Sequence, residues 1–502
     1  LNLAWDAASD DIYPGGSDTS DQGYLHEISW YGCSPTNDIK GAWTVAYSGI
    51  NRSIRLMDNA EEANISEADK KSYNAEGRVL RDWYYLVLWK TWGNVPFYTE
   101  NLTFPYIAEQ LKADEVYNNM VTDLEEVLDS KILPMKRELT WAGRMTQAAA
   151  AMIYADYVMY QKDESRYSKA LGYVKEVIAS GQYKLVTDYD DLFTYATEWS
   201  DEIILDINYI SAGGKRGWGD AGACGGTVIP AMIGVDGLTY VGGQETGHGP
   251  YTEFEGGWGF CVITRDAYEA FEPGDIRRDV AVLNLDTYQE EMMNRGIAVN
   301  YTGRYQNTGY FLRKYLGRPG GKADQAGDAD LNWENNFHLY RYAETLLVAA
   351  ELAWRTNSGE AQGYFDQVRE RAGLSPKAIT EEAIMQERRV ELLGEGKRYF
   401  DLVRFGKAAE VLKPGGGAIY VTKDAHRFVC TEGTVTQDKP KGEVKTNADG
   451  KPLNLVINGE LKWTGTGAAI PQRPQWTENK KYLPIPQIEI ESSHGATVQN
   501  PY

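Results

Sequence analysis

The sequence has few residues of the kinds that usually ligate metals or act as catalytic nucleophiles and bases. Only 4 cysteines and 5 histidines occur among 502 residues, and both types are scattered. The cysteines lack C-x-x-C spacing, so we predict neither a zinc site nor a redox motif. We expect them to be free and buried, or to form one disulfide between distant positions. The cysteines are Cys33, Cys224, Cys261 and Cys430.

Catalytic signatures and long apolar runs are also missing. No lipase-type G-x-S-x-G, HExxH or Cys-His signature occurs, which disfavours the hydrolase classes that these motifs mark. No run of 18 apolar residues occurs, so we expect no membrane-spanning helix. Positive charge is in deficit, with 51 Lys and Arg against 72 Asp and Glu and a net charge of -21. This balance excludes nucleic acid and anionic lipid as electrostatic partners.

Apolar and aromatic residues are abundant by contrast. Hydrophobic residues make up 42% of the chain, with 34 tyrosines and 14 tryptophans. Aromatic side chains serve cores first, but they also form flat surfaces on which sugars stack. The composition therefore allows a large core with aromatic side chains to spare.

Helical periodicity is concentrated in two zones, residues 43–200 and 333–412. Paired helices there suggest hairpins like those of tetratricopeptide repeats. Residues 203–332 and 413–481 are loop-rich, with a few short strand-like pieces, and residues 482–502 close the chain. We predict a single, mainly α domain: a tetratricopeptide-like scaffold of helical hairpins with large irregular insertions and a few short strands.

The most informative stretch runs from Glu387 to Gly406. A charged amphipathic helix is followed by a second short helix, and Gly394 and Gly396 lie between them, where a helix would end or bend. Carboxylates and guanidiniums three or four residues apart can pair along a helix face. The pattern favours a structural junction held by ion pairs over a catalytic site.

This stretch resembles the signature of the SusD/RagB family, E-R-R-x-E-L-x-x-E-G-x-R-x-x-D-L-x-R-x-G. The family pattern continues with a Pro-Ile-Pro element and a Gln-Asn-Pro close, which here are Leu483-Pro484-Ile485-Pro486 and Gln499-Asn500-Pro501-Tyr502. Arg341-Tyr342-Ala343-Glu344 and Val368-Arg369-Glu370-Arg371-Ala372-Gly373-Leu374 resemble further family runs. The resemblance covers most of the chain.

The resemblance implies a function and a location. Members of the family are non-catalytic, glycan-binding lipoproteins of the outer membrane, facing outside. Each caps a SusC-like TonB-dependent transporter as a lid and passes it an oligosaccharide; other surface glycan-binding lipoproteins or glycanases are further possible partners. Family members carry a lipid on an N-terminal cysteine. This chain begins at Leu1, so the anchor is implied only by resemblance, and it would be the only membrane contact.

Three loop segments carry the residues that we predict to bind the ligand. A sugar presents C–H faces to aromatic planes and hydroxyls to polar side chains. By resemblance, ligand contacts come from the N-terminal region and from the central insertion. The candidates are Asp11, Trp30 and Tyr31 in the first segment, Trp218 and Trp258 in the glycine-rich second, and Tyr301, Arg304 and Tyr305 in the third. Alternatively, Trp30 packs into the core beneath its loop.

We expect no cofactor. One acidic loop, with Asp324, Asp328 and Asp330, has oxygen ligands of the kind that calcium prefers, but a solvated loop is the favoured interpretation.

Two other functions remain open at this stage. Some family members capture peptides, so the ligand could be an oligopeptide. A glycan-degrading enzyme would need two carboxylates a few ångströms apart, and 72 acidic residues leave room for such a pair.

Overall fold

The structure is a computed structural model of the chain. It describes residues 2–211, 217–218, 225–242, 252–295, 297–322, 328–412, 422–423, 427–430, 455–458, 463–464 and 474–502. Residues 212–216, 219–224 and 243–251 of the glycine-rich segment, and most of residues 413–473, therefore lie outside the described part.

Helices dominate the described residues. They are α1 (Asn2–Ala8), α2 (Gly23–Ser29), α3 (Lys40–Glu62), α4 (Glu67–Trp92), α5 (Ala113–Ser130), α6 (Gln147–Gln161), α7 (Tyr167–Ala179), α8 (Ile229–Ile233), α9 (Arg265–Glu269), α10 (Arg277–Ala281), α11 (Leu285–Asn294), α12 (Tyr342–Arg355), α13 (Ala361–Arg371), α14 (Glu381–Glu391), α15 (Arg398–Arg404), α16 (Ala408–Val411) and α17 (Gln487–Ser492).

Within the described residues, the strands form seven separate antiparallel pairs. These are β1 (Ile12–Gly15) with β6 (Phe260–Ile263), β2 (Val95–Pro96) with β3 (Gln110–Leu111), β4 (Ile203–Ile207) with β10 (Phe337–Arg341), β5 (Thr239–Gly242) with β8 (Ile297–Asn300), β7 (Val282–Asn284) with β9 (Tyr310–Leu312), β11 (Thr422–Lys423) with β14 (Trp463–Thr464), and β12 (Arg427–Cys430) with β13 (Leu455–Asn458).

The scaffold is built from helical hairpins, α3 with α4, α6 with α7 and α12 with α13. Local signals set their ends: Ser66 caps α4 through the backbone N–H of Asp69, and Gly93, at φ 74°, ends it. α6 is buried along almost its whole length, and its alanines allow close packing against α5 and α7. The predicted mainly α, tetratricopeptide-like fold is confirmed.

The Glu387–Gly406 stretch forms α14, a turn, and α15, and its charges are buried. Glu391 is fully buried and accepts hydrogen bonds from Arg277 at 2.8 Å, from Arg371 at 2.5 Å, and from Arg341. Arg398 in α15 donates to Asp10 at 2.8 and 2.9 Å. These ion pairs tie the stretch to α10, β10, α13 and the N-terminal residues, which agrees with a structural junction.

The last residues of the chain tie back to the end of α4. Trp92 donates its indole N–H to Pro484 O at 3.1 Å, and the Asn500 amide donates to Trp92 O and to Asn94 O. Gln499 hydrogen bonds both the N–H and the carbonyl of Ile485. The Pro-Ile-Pro and Gln-Asn-Pro elements therefore act together as a structural clasp.

The structure tests two expectations from the sequence, one about the cysteines and one about membrane-spanning helices. Cys33 and Cys261 are buried free thiols, whereas Cys224 and the Cys430 side chain lie outside what the structure describes. Among the described residues, no helix is both long enough and apolar enough to cross a bilayer.

Asp6 joins α1 to the turn between α14 and α15. One of its carboxyl oxygens, Oδ1, accepts a hydrogen bond from the Gly396 N–H at 3.0 Å, and the residue is only 2% exposed. Burial raises the pKa of Asp6 to about 8, against the opposing effect of that hydrogen bond. Asp6 is therefore protonated in the folded protein at neutral pH.

We expect the Asp6→Asn variant to be more stable than the wild type near neutral pH and equally stable at about pH 4. An unfolded aspartate titrates near pH 4, below the pKa in the folded state. In the wild type, the contribution of protonated Asp6 to the free energy of unfolding is therefore complete below about pH 4. It is lost as pH rises towards about 8, by at most about 1.4 kcal/mol per pH unit. Asparagine cannot ionise and keeps an acceptor for Gly396.

Urea unfolding at both pH values measures the effect. Asp279→Asn, at a carboxylate with 73% of its side chain exposed, is the matched control and should show no such pH dependence. A stability difference for Asp6→Asn that is the same at both pH values would contradict the assignment.

Candidate functional site

A glycine turn at the end of β1 brings two of the predicted ligand segments together. The Gly16 N–H donates to Gly259 O at 3.0 Å, and Gly16 O accepts from the Tyr305 N–H at 3.1 Å. Gly15 has φ 73°, and a Cβ there would lie 2.3 Å from Gly259 O, so this approach requires glycine. The turn places the segment of Trp258 beside that of Arg304 and Tyr305.

Trp258 is held by its own backbone. Its N–H donates to Ala231 O at 2.7 Å, and the flanking Gly257 and Gly259 donate to Val235 O and Gly234 O at 2.9 and 2.8 Å. A Cβ on Gly257 would lie 2.3 Å from Ala231 O. The partly buried indole of Trp258 therefore has a fixed position on the protein.

Trp218 adds an exposed ring beside Trp258. It is 66% exposed, and the two ring centroids lie 5.7 Å apart with 32° between the planes. An anchored indole next to an exposed one offers two neighbouring aromatic faces, an arrangement suited to stacking on pyranose rings.

Arg304 lies next to this pair. Its side-chain methylenes lie 3.5–3.7 Å from the position that a Cβ on Gly259 would occupy. Its guanidinium contacts Asp236 at 3.0 Å and, at the longer distance of 3.9 Å, Asp21. Two carboxylates thus balance the positive charge and orient the guanidinium.

Tyr305 continues the surface towards the N-terminal segment. The His26 ring is buried between two aromatic neighbours, with its centroid 5.8 Å from that of Tyr305 and 5.5 Å from that of Trp30. Burial lowers the pKa of His26, so its imidazole is neutral near pH 7. Trp30 is partly buried, and within the described structure its indole N–H has no hydrogen-bond partner. Trp30 thus packs against the buried His26 ring and is itself only partly buried.

Five predicted residues from three separate segments therefore lie along one continuous series of contacts. We call this set the Trp258 surface; it consists of Trp30, Trp218, Trp258, Arg304 and Tyr305.

The other three predicted residues are buried, and the expectation that they lie in accessible loops is wrong. Asp11 is 1% exposed, with its carboxylate 2.6 Å from the Arg389 guanidinium. Tyr31 is 6% exposed and donates its hydroxyl to Ala8 O. Tyr301 is 3% exposed and belongs to the core. Their burial leaves them no open face for a ligand, so we exclude them from the site.

Three residues that complete the surroundings were missed. Asp21 and Asp236 contact Arg304 from segments far away in the sequence, and no spacing pattern predicts ion pairs between such distant residues. His26 lies on α2, four residues before Trp30 at the C-cap of that helix, and this helical spacing was the one available signal.

Metal binding has no support among the described residues, where no group of three or more His, Cys, Asp or Glu side chains could hold an ion. In the acidic loop, Asp328 accepts from the Asp330 N–H at 3.1 Å, and Asp330 lies 3.5 Å from Lys322. Asp324, the third member of the suggested calcium loop, lies outside the described residues.

Comparison with known proteins places this fold in a family. The sequence model of the SusD family matches residues 201–502. The starch-binding protein SusD of Bacteroides thetaiotaomicron is 25% identical over 433 residues, covering 76% of this chain and 72% of that protein.

Two solved structures are similar over the whole chain. Surface glycan-binding protein A from Bacteroides thetaiotaomicron, in complex with laminarihexaose, is 37% identical with a TM-score of 0.80, covering 100% of this chain and 94% of that one. A laminarin-binding SusD-like protein is 28% identical with a TM-score of 0.78, with the same coverage of both chains. On the family match and on these relatives, the chain belongs to the SusD family.

Proposed function

We propose that this protein is a non-catalytic receptor that binds a neutral glucan of the laminarin type on the Trp258 surface. The observation that carries the proposal is the pair formed by the anchored Trp258 and the exposed Trp218, next to the oriented Arg304. The relative whose structure was solved in complex with laminarihexaose supports the choice of glucan.

The expected affinity follows from the contacts. Each aromatic stacking contact contributes about 0.5–1.5 kcal/mol beyond area burial, and Arg304 and Tyr305 add polar contacts to hydroxyls. A few such contacts give micromolar to millimolar dissociation constants. A polymer carries many copies of the bound unit, so the effective concentration of that unit is high for receptors near one that already holds the polymer.

Charge favours a neutral glycan over an anionic one. Arg304 already has Asp236 and Asp21 as counterions, so an incoming carboxylate or sulfate would compete with fixed carboxylates. The net charge of -21 adds long-range repulsion.

We further propose a place for the receptor in the cell, based on family membership. It is anchored by lipid to the outside of the outer membrane and acts as the lid of a SusC-like TonB-dependent transporter, to which it passes its oligosaccharide. The helical scaffold would face the transporter, and the loops that carry the Trp258 surface would close over the ligand. Other surface glycan-binding lipoproteins or glycanases would act beside it.

Isothermal titration of the purified chain tests the ligand. We expect laminarihexaose to bind in the micromolar to millimolar range and more tightly than maltohexaose, while a polyuronate and a peptide of similar length should show no binding. Binding of the peptide with no response to any glycan would overturn the proposal, as would a clear preference for the polyuronate.

A reducing-end assay tests whether the protein is non-catalytic. Incubation with laminarin should release no reducing ends above the level of a heat-inactivated sample. Release that depends on a single carboxylate of this chain would make the protein a glycan-degrading enzyme and would refute the receptor.

A further inference from the structure

A cleft of about 80 Å³, measured as the volume open to the centre of a water molecule, lies between α1, α4, α6, β10 and α15. One water needs about 10–15 Å³ of such volume, so the cleft has room for about five to eight waters or one sugar ring. We call it the Trp83 cleft; its main lining residues are Trp83, Val87, Lys90, Asp156, Leu339 and Phe400. None of its lining residues belongs to the Trp258 surface.

Trp83 on α4 forms the aromatic wall of this cleft. Its indole is partly buried, and Tyr84 packs against it with 4.9 Å between the ring centroids. Val87 and Leu339, both partly buried, extend the apolar lining. The cleft therefore offers a partly open indole with apolar neighbours, as the C–H face of a sugar requires.

Asp156 and Lys90 bring an acceptor and a donor to the same cleft. Asp156 Oδ1 lies 2.9 Å from Lys90 Nζ, and Tyr340 donates its hydroxyl to Asp156 Oδ2 at 2.9 Å. The Asp156 side chain is 22% exposed and that of Lys90 is 10% exposed. Both line the cleft, so a ligand there can reach them. A carboxylate oxygen has two lone pairs and an ammonium has three N–H groups, which leaves capacity for a hydroxyl.

The Asp156 carboxylate is held in its ionised form. Burial by itself would raise the pKa of Asp156, but Lys90 and Lys397 hold it below its ordinary value. An ionised carboxylate accepts hydrogen bonds and donates none, and hydrogen bonds to charged groups are roughly twice as strong as neutral ones. A sugar hydroxyl suits this pair because it can donate to Asp156 while it accepts from Lys90.

The cations of the cleft already have partners. Lys90 pairs with Asp156, and its Nζ lies 4.1 Å from the centroid of the Phe400 ring. Lys397 lies 3.0 Å from Glu344. An anionic ligand would compete with these carboxylates and a cationic one with the lysines, whereas a neutral hydroxyl-rich ligand leaves both pairs intact.

We propose that the Trp83 cleft is a second saccharide site that takes one neutral pyranose unit. Trp83 covers the C–H face of the ring, and Asp156 and Lys90 hold one hydroxyl between them. One stacking contact and one shared hydroxyl give a dissociation constant of about millimolar order, weaker than that of the Trp258 surface. The choice of a glucan as ligand rests on the proposed function.

The test uses the full chain labelled with 5-fluorotryptophan and laminaribiose as the probe. Fluorine NMR gives a separate signal for each indole, and Trp83→Phe assigns the signal of Trp83. We expect this signal to shift saturably, both in the wild type and in Trp258→Ala.

Asp156→Asn removes the charge of the acceptor. It keeps the shape of the side chain and an oxygen for Tyr340, but a neutral amide holds the sugar hydroxyl less strongly than a carboxylate does. We expect it to weaken the Trp83 response about tenfold without changing the response of Trp258.

Asp163→Asn is the matched control for this variant. Asp163 also accepts from a tyrosine hydroxyl, that of Tyr117 at 2.8 Å, and also pairs with a cation, Arg166 at 2.6 Å. Its side chain is 16% exposed, but it does not line the cleft. This variant should leave the Trp83 response unchanged.

Val87→Gln fills the cleft without changing the ion pair. Glutamine is a good helix former, and Val87 is only partly buried on α4, so this variant should fold. Its longer, neutral side chain takes the space of the ligand and should weaken the Trp83 response by about tenfold or more.

The outcomes separate the two sites. A silent Trp83 beside a responding Trp258 overturns the second site and leaves the proposed function intact. Silence of both overturns both. A Trp83 shift that disappears in Trp258→Ala, or that is unchanged in Val87→Gln, also overturns the second site.

The aspartate variants decide the role of the ion pair. A Trp83 response that is unchanged in Asp156→Asn, or equally weakened in Asp163→Asn, overturns the second site. If circular dichroism shows that Asp156→Asn does not fold, the response of Val87→Gln decides.

Discussion

Glu391→Ala is expected to lower the free energy of unfolding by about 3–5 kcal/mol, a large share of the roughly 5–15 kcal/mol available to a folded domain. Glu391 is fully buried and receives three guanidiniums, from Arg277, Arg341 and Arg371. Alanine would leave these charges without their common acceptor in a region with almost no water. Urea denaturation followed by circular dichroism measures the loss.

Acid should reduce the difference between wild type and variant. Burial by itself would raise the pKa of Glu391, but Arg371, Arg341 and Arg277 hold it well below its ordinary value. The stabilisation is therefore complete above about pH 4, where a glutamate in the unfolded chain ionises, and is lost as pH falls towards the pKa in the folded state.

The control for this variant is an exposed pair. Glu360 lies 2.7 Å from Lys175, and the two side chains are 46% and 42% exposed. Glu360→Ala should leave the free energy of unfolding almost unchanged, because solvent screens an exposed ion pair. If Glu391→Ala proved as stable as Glu360→Ala, the buried cluster would not be the element that holds α14 to α10, β10 and α13.

Trp258→Ala should weaken the binding of laminarihexaose by about 10–100-fold, as expected for a central aromatic residue of a binding surface. The fold should persist, because the segment is held by backbone hydrogen bonds to residues 231–235. Trp218→Ala should weaken binding less, because the Trp218 indole is more exposed than that of Trp258 and is less firmly held on the protein. Isothermal titration measures both.

Trp141→Ala is the matched control for ligand binding. Trp141 is also an exposed tryptophan, at 54%, but it lies between α5 and α6 and is remote in sequence from every residue of the Trp258 surface. Its removal should leave the affinity for laminarihexaose unchanged. Wild-type affinity in Trp258→Ala, with a folded circular dichroism spectrum, would remove the Trp258 surface from the proposed function.

Local sequence signals predicted the scaffold well. The periodicity of α3, α4 and α6 depends on residues within a few positions of one another. The Glu387–Gly406 stretch was predicted to be a structural junction, and its charges indeed pair within the protein interior. The periodicity and the charge pattern are local and can be read from the sequence, whereas the partners of these charges lie in distant segments.

The candidate site was predictable only in part. Aromatic residues in turn-rich segments indicated Trp218, Trp258 and Tyr305, but the same reasoning selected Tyr31 and Tyr301, which are buried. Composition and adjacent residues in the sequence do not distinguish an aromatic side chain in the core from one at the surface when both lie in irregular segments. That distinction depends on what packs against the segment.

The ion pairs show most clearly what the sequence determined and what only the tertiary structure decided. The sequence by itself determined the family, the helical scaffold and the segments with ligand-binding potential, because motif spacing and periodicity are properties of neighbouring residues. Only the tertiary structure decided that Asp11 is buried against Arg389 and that Asp21 and Asp236 flank Arg304. Each of these pairs joins residues dozens to hundreds of positions apart, and folding alone brings them within reach.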